Sequence, residues 1–334
     1  MTKPTLCVVV APDEYDLLFA PESQERLHDH AVVEFGDGDR GTVLPPAAAD
    51  RFDVVVTSWS TTPFDPARLR GERLRLALHS AGSIRRLFPA AVLRSGLRVC
   101  QAGAAAMAPA VAEMALTLTL ALLRNLHRHD RALWTERDWA AARQPVLGRA
   151  LAARNVGIVG FGRTGREYAR MVRALGASAL RAYDPYADPA VAAGHGVELV
   201  GLAELFRCSD VVAVHAPSTP ETRHLVGRGE LAALPDGAIV VNTARSWVVD
   251  EEALLAELVP GRLSAGLDVF DTEPLPATSA FLGLPNVVVT PHVAGGTVEA
   301  RQTQGRIVVD ELCRFVAGAP LEHEVSVESY DLLA

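Results

Sequence analysis

A short apolar run, Val156–Val159, opens directly into Gly160-Phe161-Gly162-Arg163-Thr164-Gly165, and a helical pattern follows. This G-x-G-x-x-G between strand and helix constrains the fold more than any other stretch of the chain. Gly160 permits the tight strand-to-helix turn, Gly162 lets the backbone approach a pyrophosphate, and Gly165 lets the helix lie close on the strand. The helix N-terminus then offers free N–H groups and a partial positive charge to phosphate. Nineteen residues past Gly165, Asp184 ends a second apolar run, Ala179–Tyr183. A carboxylate there accepts hydrogen bonds from a ribose diol and repels a 2′-phosphate. Glycine-rich turns are common, but strand, turn, helix and acid together predict a dinucleotide site that takes NAD(H) rather than NADP(H).

Apolar runs at Leu6–Val10, Val32–Phe35, Val54–Thr57, Arg75–Leu78 and Leu97–Cys100 alternate with helical or loop segments. A second series begins at Asn155, with strands expected near Val156–Val159, Ala179–Tyr183, Val197–Leu199, Val211–His215, Ala238–Asn242, Leu263–Asp268 and Val287–Thr290. Ala108 to Arg128 reads as helix with Pro109 near its first turn, where proline is tolerated, and Val298–Val316 reads as a closing helix. Such β/α alternation predicts parallel sheets, and 334 residues accommodate two domains built on them. Ligands of open α/β sheets bind at the carboxyl ends of strands. Function is therefore expected in the loops after Gly160, Asp184, His215, Asn242 and Asp268.

Composition removes several alternatives. Lys3 is the only lysine, so lysine Schiff-base chemistry and a Walker-type phosphate lysine have no residue to perform them. A net charge of -8 without a basic block argues against a nucleic-acid partner. Cys7, Cys100, Cys208 and Cys313 are scattered without C-x-x-C, which reads as buried thiols of a cytoplasmic protein with neither a metal site nor a disulfide framework. The run Leu6–Ala11 is too short for a signal-peptide core and reads as a first strand. Val111–Leu123 contains Glu113 and is too short to span a bilayer, so no membrane partner is expected.

Three further strand ends carry charge. Val240–Asp250 places Arg245 past a strand, though a lone loop arginine is commonly solvated or salt-bridged. Gly266–Pro274 places Asp268, Asp271 and Glu273 past the next, where helix capping or solvation accounts for any one of them. Thr290–Thr297 places His292 past the following strand. A cation, an acid and an imidazole at three successive strand ends on the cofactor edge point together to a catalytic site.

The segments N-T-A-R-x-x-x-V-D, G-L-D-V-F-x-x-E-P and T-P-H-x-A-G, in this order after V-G-I-V-G-F-G-R-x-G, resemble the D-isomer-specific 2-hydroxyacid dehydrogenases. That family includes D-lactate, D-glycerate and 3-phosphoglycerate dehydrogenases and glyoxylate or hydroxypyruvate reductases. The likeness is strongest from about Ala112 to Thr297. It implies an α/β fold of two doubly wound parallel-sheet domains, a Rossmann-type cofactor domain over 107–298 and a flavodoxin-like substrate domain over 1–106 and 299–334. It implies that Arg245 binds substrate, that Glu273 pairs with His292, and that His292 is the proton donor and acceptor. Arg163 and Thr164 would contact phosphate and Asp184 the adenosine ribose. His215, Ala216 and Pro217 would border the adenine, and Thr243, Ala244, Asp268 and Gly295 the nicotinamide. The likeness also implies a homodimer, with an interface on Pro109–Arg128 and Asp130–Ala142, which carries Trp134 and Trp139. Core packing accounts for those apolar residues equally well.

The chemistry stands without the family. A 2-keto acid needs its carboxylate fixed, its carbonyl polarised and a proton delivered as hydride arrives at C2. Arg245 supplies charge-assisted hydrogen bonds for the first two. His292 supplies the proton as imidazolium, a form that the Glu273 carboxylate favours. Leu78–Ile84 sits where the family has its substrate loop, and the N–H groups of Ala81 and Gly82 are candidates to hold the carboxylate. By itself that segment is an ordinary glycine turn. It departs from the family's G-x-D-N by reading Gly82-Ser83-Ile84-Arg85-Arg86, which leaves substrate identity open. Arg85 and Arg86 are read as surface residues before a second anion site, since adjacent helical residues do not share a face. Ser246 and Trp247 replace the small residues that follow the family's arginine, and Trp247 reads as packing. The expected function is thus an NAD-dependent oxidoreductase that interconverts a small 2-hydroxy acid and its 2-keto acid. An NAD(H)-sensing binding protein of the same fold is the alternative.

Overall fold

The computed structural model describes residues 3–143, 147–328 and 330. The chain divides into a first unit, Met1–Met107 with Gly296–Ala334, and a second unit, Ala108–Gly295. From the sequence, the divisions are expected after 106 and after 298.

The first unit is a five-stranded parallel sheet in the order β2-β1-β3-β4-β5. Its strands are β1 (Thr5–Val9), β2 (Val32–Phe35), β3 (Val54–Thr57), β4 (Leu76–His79) and β5 (Arg98–Gln101). Successive side chains point to opposite faces of a strand. Cys7, Val9, Val55, Ala77 and Val99 therefore build one core, while Leu6, Val8, Val54, Val56, Leu76 and Leu78 build the other. A sheet covered on both faces needs strands that are apolar throughout, which is how these read in the sequence. The helix Val298–Ala317 closes the second face through Val308, Val309 and Leu312. Thr297 caps it by accepting from Ala300 N–H, and Gly318 ends it at φ 66°.

The second unit is a seven-stranded parallel sheet in the order β12-β11-β10-β9-β6-β7-β8. The strands are β6 (Asn155–Val159), β7 (Ala179–Tyr183), β8 (Glu198–Leu199), β9 (Val211–Val214), β10 (Ile239–Asn242), β11 (Ser264–Leu267) and β12 (Val287–Val289). The order reverses between β6 and β9, so a crevice forms outside their carboxyl ends. The helix Arg163–Ala174 lies on one face through Tyr168, Ala169 and Val172, all fully buried with Val156, Ile158, Val211 and Ala213.

Two helical expectations are corrected. The helix expected from Ala108 begins at Gly103 and ends at Leu123, so Pro109 lies inside it rather than in its first turn. The run Gly103–Ala108 is mostly alanine, the strongest helix former, which carries the helix back past the proline. It also stops short of Arg128, because Asn125 takes φ 52° and a new helix, Leu126–Glu136, starts after it. The resulting helix has 21 residues, and by length and composition alone it is long enough to cross a membrane, contrary to the expectation from Val111–Leu123. Half of its most apolar window is buried, with Ala112, Ala115, Leu118 and Leu122 in the core of the second unit.

Candidate active site

The glycine turn is built as its residue types require. Gly160 sits at φ 93°, and a Cβ there would meet the Ala216 backbone nitrogen at 2.6 Å. A Cβ at Gly165 would collide with the Gly160 carbonyl, so only glycine lets the helix approach this closely. Gly162 is the N-cap of the helix Arg163–Ala174 without any side-chain cap, and its α-carbon faces open space. The first N–H groups of that helix therefore stay available, and the cradle fits a pyrophosphate. Asp184 follows β7 and fixes the turn: Oδ2 accepts from Phe161 N–H at 2.7 Å and Oδ1 from Tyr186 N–H at 2.9 Å. Each oxygen retains a lone pair for a ribose hydroxyl.

His215, Ala216 and Pro217 follow β9 beside this turn. Part of His215 reaches the surface, but both ring nitrogens are buried without a hydrogen-bond partner among the described residues. The ring packs 5.2 Å from that of Tyr168. Burial pushes the His215 imidazole down to about 3, which keeps it neutral.

Arg245 and its neighbours leave β10. Asn242 shapes this loop by donating from Nδ2 to the Arg245 carbonyl at 2.9 Å and accepting from Ala244 N–H at 3.1 Å. One Arg245 Nη donates to the Ala244 carbonyl at 2.6 Å. Burial lowers the Arg245 pKa, and the nearby charge of Glu273 opposes that. No carboxylate among the described residues forms an ion pair with it within 4.0 Å, so most of the guanidinium fork is open. The buried Thr243 hydroxyl likewise has no partner among the described residues. Trp247 donates from Nε1 to the Thr219 carbonyl at 2.8 Å and stacks with Arg223, which makes it a packing residue of that loop.

His292 and Glu273 meet. Nδ1 of His292 lies 2.7 Å from Oε2 of Glu273, whose other oxygen accepts from Phe270 N–H at 2.9 Å. His292 itself sits in the left-handed region at φ 54°, an uncommon conformation for a residue with a Cβ. Asp268 holds it there. Its fully buried carboxylate accepts from Thr290 Oγ1 at 2.6 Å, Val293 N–H at 2.9 Å and Ala294 N–H at 2.9 Å. The Asp268 carbonyl accepts from His292 N–H at 2.9 Å. Asp268 thus spends its carboxylate on the histidine loop, a clamp that no local sequence signal marks. Gly295 ends this loop and the second unit. A cavity of about 560 Å³ opens beside the pair, lined by Phe270, Glu273, Pro274, Leu275, Val289, Thr290, Pro291 and His292. That volume suits a small ligand.

In the first unit, the loop Ser80–Ser83 leaves β4. His79 is buried, with Nδ1 2.9 Å from Thr57 Oγ1 and Nε2 3.0 Å from the Ser83 carbonyl. Gln101 Nε2 donates to the Gly82 carbonyl. A Cβ at Gly103 would strike the Ala81 carbonyl. The loop carbonyls are thus drawn into the protein, and the N–H groups of Ala81 and Gly82 have no acceptor among the described residues. Burial pushes His79 down to about 4, so it is a neutral hydrogen-bonding post. Neither His79 nor Gln101 was singled out by the sequence reading, because only the fold brings them under the loop.

Residues 116–294 match the family described as D-isomer specific 2-hydroxyacid dehydrogenase, NAD binding domain. D-3-phosphoglycerate dehydrogenase of Mycobacterium tuberculosis is 35% identical over 325 residues, 97% of this chain and 59% of that protein. The chain belongs to the D-isomer-specific 2-hydroxyacid dehydrogenase family. Hydroxypyruvate reductase of Thermotoga maritima is 41% identical over 211 residues, 62% of this chain and 66% of that protein. Among solved structures, D-lactate dehydrogenase from Aquifex aeolicus, complexed with NAD and lactic acid, is similar with a TM-score of 0.74 and 25% identity. The likeness covers 94% of this chain and 96% of that one. The chain spans between 41% and 66% of the length of such curated relatives. NAD is the cofactor of the domain that the second unit contains, and both sheets have the architecture of the family.

Proposed function

We propose that this protein is an NAD-dependent oxidoreductase that interconverts a D-2-hydroxy acid and its 2-keto acid. The observation that carries this reading is the His292–Glu273 pair at 2.7 Å, opening on a cavity of about 560 Å³. Bound NADH supplies the hydride. Nδ1–H of His292 donates to the Glu273 carboxylate, which leaves Nε2 as the nitrogen that gives its proton to the carbonyl oxygen during reduction. In oxidation, neutral Nε2 takes the hydroxyl proton. Arg245, whose fork has no ion-pair partner among the described residues, holds the substrate carboxylate and polarises the carbonyl. Phe270 N–H and the Asp268 clamp orient the two partners, so the proton is delivered from a fixed position.

The remaining assignments belong to the same reading. Arg163, Thr164 and the turn glycines take the pyrophosphate, Asp184 the ribose, and the backbone of His215, Ala216 and Pro217 borders the adenine. Thr243, Ala244 and Gly295 lie at the nicotinamide end. Ala81 and Gly82 offer amides to a carboxylate. A homodimer is supported by the exposure of Trp134 (74%) and Trp139 (73%), which removes core packing as their explanation. Cys7 and Cys100 are buried, but Cys313 is half-buried and Cys208 exposed, which corrects the expectation of buried thiols throughout; that all four are free accords with a cytoplasmic protein.

The test is NADH oxidation with a panel of 2-keto acids at neutral pH. Turnover with at least one, dependent on His292, is expected. Tight NADH binding with no turnover on any member would replace the enzyme with a sensor.

A further inference from the structure

The sheet of the first unit reverses its strand order between β1 and β3, and ligands of such sheets sit outside the carboxyl ends of the strands at that reversal. The turn Ser58–Thr61 leaves β3 there, and it is rigidly held. Glu14 accepts from the Ser58 hydroxyl and from Ser60 N–H at 3.0 Å. Thr61 Oγ1 accepts from Ser58 N–H at 2.8 Å and donates to the Val9 carbonyl at 2.6 Å. Ser60 Oγ accepts from Ala11 N–H at 2.9 Å. Trp59 sits in this turn and is 39% exposed.

Arg301, in the first turn of the helix Val298–Ala317, lays its guanidinium on that indole, with Cζ 3.8 Å from the ring centroid. The fully buried Gln304 fixes it by accepting from Nη1 at 3.3 Å. Burial disfavours the charge of Arg301, and Glu14 offsets this only from a distance. Among the described residues no carboxylate lies within 4.0 Å of the guanidinium. A cation partly removed from water, preorganised on an aromatic face and lacking an ion pair, is an unfinished anion site. The loop Ser80–Ser83 rises from β4, the strand next to β3 in the same sheet. The Thr57 carbonyl accepts from both Ser80 N–H at 2.9 Å and Ser80 Oγ at 3.2 Å, which ties the two loops at their base.

We propose that Trp59 and Arg301 form a specificity subsite for a second anionic group, a carboxylate or a phosphate ester, at the far end of the 2-keto acid. This rests on the reading that the Ala81 and Gly82 amides take the first carboxylate. The guanidinium forks onto the distal group, and the indole covers the carbons between. The adjacent arginines of the same unit are used otherwise. Arg85 lies against the Tyr330 ring and carbonyl, and Arg86 donates to the Thr61 carbonyl at 3.4 Å.

The test compares 2-ketobutyrate with oxaloacetate and with phosphohydroxypyruvate in wild type, Arg301→Gln, Arg301→Lys and Trp59→Phe, reading kcat/KM for each. Wild type should favour one dianion, and which one separates carboxylate from phosphate. Arg301→Gln should lose about 10- to 100-fold more on that dianion than on 2-ketobutyrate, the usual range for a hydrogen-bonded charge. Arg301→Lys should restore part of the loss, because a point charge replaces a fork. Equal losses on all three acids, or no dianion preference in wild type, overturn the subsite. Calorimetric binding of succinate and 3-phosphoglycerate to wild type and Arg301→Gln is read in parallel. If no keto acid turns over, the proposed activity fails, yet binding lost only in Arg301→Gln upholds the subsite and equal binding overturns it.

Discussion

Nδ1 of His292 and Oε2 of Glu273 lie 2.7 Å apart, and the same Glu273 carboxylate is pinned through its other oxygen by Phe270 N–H. The pair is therefore set from both ends: the acid is held at each oxygen, and the ring is oriented with Nε2 lacking a partner among the described residues. His292→Gln should lower kcat for keto-acid reduction by ~10²–10⁴-fold, the usual contribution of a general acid–base group. Glu273→Gln should cost about 10- to 100-fold through loss of a charge-assisted hydrogen bond. Steady-state rates within a factor of two of wild type for either variant would contradict these roles.

Arg245→Lys should raise KM for the keto acid and lower kcat together. A single ammonium cannot hold a carboxylate in a plane and also polarise the carbonyl. A loss of about 10-fold or more in kcat/KM is expected, by the worth of a hydrogen bond to a charged group. An unchanged kcat/KM would remove Arg245 from the substrate.

With Asp184 proposed at the adenosine ribose, cofactor choice is predicted to favour NADH, since its carboxylate would repel a 2′-phosphate. Asp184→Ala should narrow the ratio of kcat/KM for NADH over NADPH. It should also weaken NADH itself, because Asp184 holds Phe161 N–H in the glycine turn and Tyr186 N–H in its own loop. Equal use of both cofactors by wild type would refute the preference.

Stability should fall in mild acid. Burial holds His79 down to about 4 and His215 down to about 3, both below the free imidazole value of 6.5. Unfolding lets each ring take up a proton that the folded form refuses, so stability is full above 6.5 and declines as pH falls toward 4. For His79 alone the decline is on the order of 3 kcal/mol. Urea unfolding at pH 7, 5.5 and 4.5 measures it, and His215→Phe should flatten the slope. A pH-independent unfolding free energy across this window would contradict the buried neutral state of both rings.

Nearly every strand was legible, because a parallel sheet covered on both faces requires unbroken apolar runs such as Val54–Thr57 and Val211–Val214. The glycine turn after β6 was legible because Gly160 and Gly165 are each demanded by a close backbone approach, and the meeting of His292 with Glu273 because each follows a strand end. Three features were not. The helix end at Gly103 was hidden behind Pro109, which an alanine-rich run carries the helix past, and the break at Asn125 rests on a left-handed φ of 52° that the apolar pattern does not mark. The Asp268 clamp depends on a left-handed His292 that no sequence pattern announces. The Trp59–Arg301 stack joins the two sequence-distant segments of the first unit, and only the closing helix brings them together.

The two exposed tryptophans predict self-association. Sedimentation at micromolar concentration should show a dimer, and Trp134→Glu with Trp139→Glu should yield a folded monomer. A wild-type monomer at that concentration would dispose of the dimer.

The most direct measurement for the central claim is chiral analysis of the product formed from a 2-keto acid and NADH, by wild type and by His292→Gln. The D-2-hydroxy acid should accumulate in step with NADH consumed, and the His292→Gln variant should form it at least ~10²-fold more slowly. Formation of the L isomer, or equal rates from the two proteins, would contradict the account.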